Sequence, residues 1–116
     1  MRTMRIILMA LVFVHICCGG GGKSKQSYPD LVEAGWSAFA DGDYNAAFSL
    51  YSDAIDADPE QAAAYAGLGW ALMKLDNIAQ ANGTFNTGST KTNPPADLFA
   101  GWSFVLNAQK SYANSN

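Results

Sequence analysis

A glycine–tryptophan pair occurs three times, at Gly35-Trp36, Gly69-Trp70 and Gly101-Trp102, at nearly even intervals along the chain. Recurrence at such a period marks stacked supersecondary units, each too small to bury its own apolar face. The shift that carries Gly35 onto Gly69 also carries Leu31 onto Tyr65, Ala34 onto Leu68, Ala38 onto Leu72, Tyr44 onto Ile78, Ala47 onto Ala81, Tyr51 onto Phe85 and Ala54 onto Gly88. Apolar or small character is kept at each position. Aligned on Gly101, a slightly shorter step away, a third unit repeats only the opening segment, through Phe99, Gly101, Trp102, Phe104 and Val105.

Within a unit the residues spell helix, turn, helix. Apolar residues recur at helical spacing from Leu31 to Phe39, Asp41-Gly42-Asp43 interrupts them, and Tyr44, Ala47, Phe48, Tyr51, Ala54 and Ile55 resume them until Pro59. The pattern predicts helices from Pro29 or Asp30 to Gly42, Tyr44 to Ala57, Gln61 to Leu75, Ile78 to Ser89 and Ala96 to Gln109. The third is the best helix former, with Ala62-Ala63-Ala64 at its start. The fourth is the weakest, because Gly83 and Gly88 each cost about 1 kcal/mol relative to alanine in a helix interior. Pro94-Pro95 separates it from the fifth, where Asp97 replaces the large apolar residue expected one turn before Gly101.

The small residues Gly35 and Ala47, the Gly42-Asp43-Tyr44 turn, the aromatic Tyr51, then Ala54 and the closing Pro59 resemble the tetratricopeptide repeat over roughly Tyr28 to Pro95. The resemblance implies an all-α, right-handed solenoid of helix hairpins: repeat 1 at 28–61, repeat 2 at 62–95 and the first helix of a third repeat at 96–116. It implies a protein-interaction module without catalysis. On the first helix of repeat 1, Val32, Trp36 and Phe39 fall within about 60° of one another, while Leu31, Ala34, Gly35 and Ala38 form a second stripe. In the family the first helices line a concave groove, and the position after the small glycine touches bound peptide. The matching residues are Trp36, Trp70 and Trp102, with Val32, Ala66 and Leu98 one turn earlier and Phe39, Met73 and Val105 one turn later. The expected partner is a protein or peptide segment; the alternative is an assembly subunit whose apolar groove is filled by another copy or by a C-terminal continuation.

The segment before Tyr28 reads differently. Arg2 and Arg5 precede an apolar run from Ile6 to Ile16, too short for a membrane-spanning helix of about 20 residues and suited to the core of an export signal over residues 1–17. Cys17 and Cys18 follow, and then four glycines, which resembles a bacterial lipoprotein signal. Cys18 is the expected lipidation site, with Cys17 the alternative, although neither is preceded by the usual Gly, Ala or Ser. Residues 18–27 would be a flexible tether. The expected location is the bacterial cell envelope, lipid-anchored and facing the periplasm or exterior, or else secretion.

Eight of the ten acids lie between Asp30 and Glu60, a stretch without Lys or Arg. Nucleic acid is not an expected partner for such a surface, since phosphate affinity needs clustered basic side chains. His15, the one histidine, lies in the signal segment, so no metal-ligand cluster or Ser/His/Asp arrangement is expected beyond it, and no cofactor is implied. Gly19-Gly20-Gly21-Gly22-Lys23-Ser24 lacks the leading glycine of a phosphate-binding loop, where Cys17 stands. Asp41 to Asn45 lacks the glycine and the glutamate of a calcium loop, where Ala46 and Ser52 stand.

Overall fold

The computed structural model describes residues 25–115. The expected export signal, Cys17, Cys18 and most of the expected tether lie outside them. The described residues form five helices: α1 (Tyr28–Ala40), α2 (Tyr44–Ala57), α3 (Ala62–Lys74), α4 (Ile78–Ser89) and α5 (Ala96–Asn114). They pack as two antiparallel hairpins, α1/α2 and α3/α4, followed by α5, which lies against α3 and α4. This is an all-α solenoid of helix hairpins.

Local chemistry repeats from one hairpin to the next. Asp43 accepts the Ala46 amide at 3.1 Å and starts α2, and Asn77 accepts the Gln80 amide at 3.3 Å and starts α4. Both are N-caps that satisfy an otherwise orphaned helix donor. The residue before each cap turns the chain with a positive φ: Gly42 at +81° and Asp76 at +61°. Glycine occupies that region without strain, and Asp is among the few other residues that do so readily.

Helix α3 is the centre of the stack. It touches all four other helices, and Ala62, Ala64, Ala66, Gly67, Gly69, Ala71 and Leu72 are buried on it. Its run of small residues, which reads in sequence as helix propensity, is a packing requirement, because four neighbours approach one backbone. Its N-cap, Gln61, makes no side-chain cap bond. Instead the Ala64 amide donates to the Tyr28 hydroxyl of α1 at 3.1 Å, and the Ala62 amide donates to the Thr92 carbonyl in the α4–α5 loop at 3.2 Å. The Thr92 amide in turn donates to the Glu60 carbonyl at 2.9 Å, and the Lys91 ammonium lies 3.5 Å from the Glu60 carboxylate.

Two features differ from the sequence reading. The glycines of α4 are unequal: a Cβ at Gly83 would meet open space, whereas at Gly88 it would lie 2.6 Å from the Tyr65 Cβ and 2.8 Å from a Leu98 methyl. Gly88 therefore lets α4 approach α3 and α5, and only Gly83 weakens the helix without serving any contact. Helix α5 also runs to Asn114, well past Gln109. Lys110 stands where Gly42 and Asp76 turn the chain, and Ser111, at the position of the caps Asp43 and Asn77, donates its hydroxyl back to the Asn107 carbonyl at 3.1 Å, so the helix passes through.

Candidate interaction surface

The second helix of each repeat carries one fully buried aromatic, Tyr51 in α2 and Phe85 in α4. Each ring is held between two glycine backbones on successive first helices. A Cβ at Gly35 would lie 2.7 Å from Cε1 of the Tyr51 ring, and one at Gly67 would collide with Cε1 and Cζ of the same ring. Phe85 stands likewise between Gly69 and Gly101, each of whose Cβ positions would lie 2.5 Å from it. Close packing at this density leaves no room for a methyl group.

This arrangement fixes the register of the third unit. Gly35 and Gly69 are equivalent, and the same shift applied to Gly67 leads to Gly101. The match of Gly101-Trp102 to Gly69-Trp70 is therefore out of step by two positions. In the structural register the step from Trp36 to Trp70 leads on to Phe104, not Trp102. The ring geometry agrees: Trp36 meets Tyr51 edge-on at 5.8 Å and 82°, and Trp70 meets Phe85 edge-on at 6.4 Å and 84°. Phe104 continues the row, 6.2 Å from Trp70.

The expected site residues divide accordingly. Val32, Phe39, Trp70 and Met73 are half-buried and Trp36 is 38% exposed, so each retains surface. Ala66, Leu98 and Val105 are buried in the core and present no surface to a partner. Leu98 and Val105 follow from the shifted register. Ala66 is in register but is closed off in the crowded centre of the stack. Trp102 faces α4, where its Nε1 donates to the Asn82 Oδ1 at 2.7 Å. Asp97 replaces no apolar residue, because Phe99 is the equivalent of Leu31 and Tyr65. It lies exposed in the first turn of α5, where a negative charge suits the helix dipole.

What remains is an aromatic row of Trp36, Trp70 and Phe104, flanked by Val32, Phe39 and Met73. Phe39 joins it through edge contacts with Trp36 at 5.8 Å and Tyr44 at 5.2 Å. Trp70 is the most firmly held ring, since its Nε1 also donates to the Asp97 carbonyl at 3.1 Å. Beneath the row, the Tyr51 hydroxyl is buried without a hydrogen-bond partner among the described residues. Burial pushes its pKa up, and the Asp97 carboxylate adds to the shift. Phe104, 61% exposed, is the member that sequence reasoning missed. The signal was available, because repeating the step from Trp36 to Trp70 reaches it.

A family model described as tetratricopeptide repeat matches residues 38–98, from α1 through the first turn of α5 and over just over half of the 116 residues. No curated protein matches the chain. Repeats of this family generally mediate protein–protein interaction. The glycine-clamped aromatics, the repeat register and the family match agree, and the chain belongs to the tetratricopeptide repeat family.

Proposed function

We propose that the row Trp36, Trp70 and Phe104 is the face on which this protein binds an extended or helical segment of a partner, through apolar side chains set against the rings. The observation that carries this reading is Phe104. A large aromatic 61% exposed, in line with two partly exposed tryptophans, is costly to leave in water unless something covers it. Aromatic anchors dominate interface energies when enclosed, at on the order of 2 kcal/mol or more each. The acids of the first repeat favour a segment with basic residues beside its apolar ones, chiefly through encounter rate and specificity.

The test is selection of a random peptide library on the full chain, followed by titration of the enriched peptides. Enriched sequences should combine apolar and basic residues. Trp36→Ala and Phe104→Ala should each weaken binding at least about tenfold with helix content unchanged. Equal binding by both variants and wild type would show that the row is not the site. Trp70→Ala is a poorer probe, because Trp70 also ties α3 to α5.

We further propose that the module is an envelope lipoprotein, exported by residues 1–17 and acylated at Cys18. Support comes from the basic start, the short apolar run and the four glycines after the cysteines. Acyl labelling of cells expressing the full chain should be lost in Cys18→Ser; labelling that persists there excludes Cys18 as the anchor.

A further inference from the structure

On α5 a second apolar face lies away from the aromatic row. Phe99, Trp102 and Leu106 stand one repeat beyond Tyr65, Leu68 and Leu72. In the second repeat these positions are covered by α4, and Leu72 is 2% exposed. On α5, α4 reaches this face only at Trp102, through Asn82; among the described residues no helix covers Leu106, 42% exposed, or Phe99, 45% exposed.

We infer that this face is covered by the same face of a second copy of the chain, two α5 helices packing antiparallel about a twofold axis. Three observations favour a second copy over the covering helix of a further repeat. First, α5 is not shaped for a repeat-style partner. Ser103 stands where Gly35 and Gly69 receive the covering aromatic, and the helix runs straight through the stretch where the earlier repeats turn back at Gly42 and Asp76. Second, the extended helix lengthens the stripe to Phe99, Trp102, Leu106, Gln109 and Ala113, with Trp102, held by Asn82 of α4, on its inner edge and Phe99 and Leu106 outward. Its alternating steps of three and four are the seam of a helix pair, which packs one such stripe against another. Two copies of one stripe supply both halves of a closed, isologous contact.

Third, the charge distribution suits this orientation. The stripe itself carries no charged residue, and eight of the ten acids lie between Asp30 and Glu60, in the repeat farthest from α5 along the chain. Joining two chains through α5 puts those acids at the outer ends of the pair and keeps their mutual repulsion small. The contact area of two helices of this length falls at the low end of specific interfaces, so the dimer forms reversibly with concentration. The inference is independent of the aromatic row, which lies on another side of α5.

Sedimentation equilibrium of the full chain under reducing conditions, over a concentration series, tests it. Wild type should pass from monomer to dimer. Leu106→Glu and Phe99→Glu should each raise the dissociation constant at least tenfold with helix content unchanged by circular dichroism, whereas Phe104→Glu should leave it within twofold of wild type. Wild type that stays monomeric across the series overturns the inference, whether the face is then covered by the chain's own N-terminal segment or by a different protein. Association that survives both α5 substitutions, or that is lost in Phe104→Glu alone, also overturns it, since the contact then runs through other residues.

Discussion

Gly101 and Phe85 are packed so tightly that a single methyl group on the glycine would stand 2.5 Å from the ring. The contact joins α5 to α4, and its counterpart between Gly67 and Tyr51 joins α3 to α2. The coupling between successive repeats therefore runs through backbone-to-ring contacts that tolerate no added side chain.

Gly101→Ala should accordingly destabilise the fold by about 1–3 kcal/mol, the usual range for overpacking a filled core. Gly83→Ala should do the opposite. Its Cβ would meet open space within α4, so the gain is about 0.5–1 kcal/mol from helix propensity alone. Urea titration of the two variants checks both signs. A stabilised Gly101→Ala would mean that α5 does not seat against Phe85.

Tyr51→Phe should stabilise the protein by about 1 kcal/mol, because it removes a buried hydroxyl that has no partner and matches the residue already used at Phe85. The pH dependence follows from the raised pKa of Tyr51. Above its ordinary value of 10.0, the hydroxyl ionises in the unfolded chain while it remains protonated in the folded one. The folded state then binds more protons, so stability is full below pH 10.0 and falls as pH rises beyond it. Tyr51→Phe should flatten that alkaline decline; an unchanged slope would assign the decline to other groups.

Hydrogen exchange should be fastest in residues 110–115 and slow at the centre of α4. The last turns of α5 are exposed, whereas Ala81 and Phe85 are fully buried. This order differs from the expectation drawn from helix propensity alone, which places the weakest segment at Ile78 to Ser89. Exchange in α4 as fast as at the end of α5 would restore the propensity argument.

The hairpins are legible in the sequence because their boundaries rest on local chemistry. Asp43 and Asn77 cap, Gly42 and Asp76 turn, and the prolines punctuate, all close to the helix they limit. The third unit misleads by two positions because Gly101-Trp102 duplicates Gly69-Trp70 in letters but not in contacts. Register is set by Phe85, which touches Gly69 and Gly101 together, and that relation spans two helices. The burial of Ala66 is equally hidden, since it depends on how many neighbours crowd α3 rather than on the helix's own periodicity. The length of α5 is only half legible: Lys110 lacks the turn-forming character of Gly42 and Asp76, but Ser111 reads as a cap and in the fold bonds back to Asn107 instead.

The borrowed caps of α3 bear on how such a chain lengthens or shortens. The first turn of that helix takes one acceptor from Tyr28, on the helix that opens the stack, and another from Thr92, after α4 has ended. The residue one repeat beyond Tyr28 is Ala62, which has no hydroxyl to offer. A duplicate of the α3/α4 hairpin spliced in after Pro95 would thus begin with an amide that its predecessor cannot satisfy. Deleting α1 would orphan the same donor in the original. The hairpins are not interchangeable beads, and their order along the chain is written into which one carries the tyrosine.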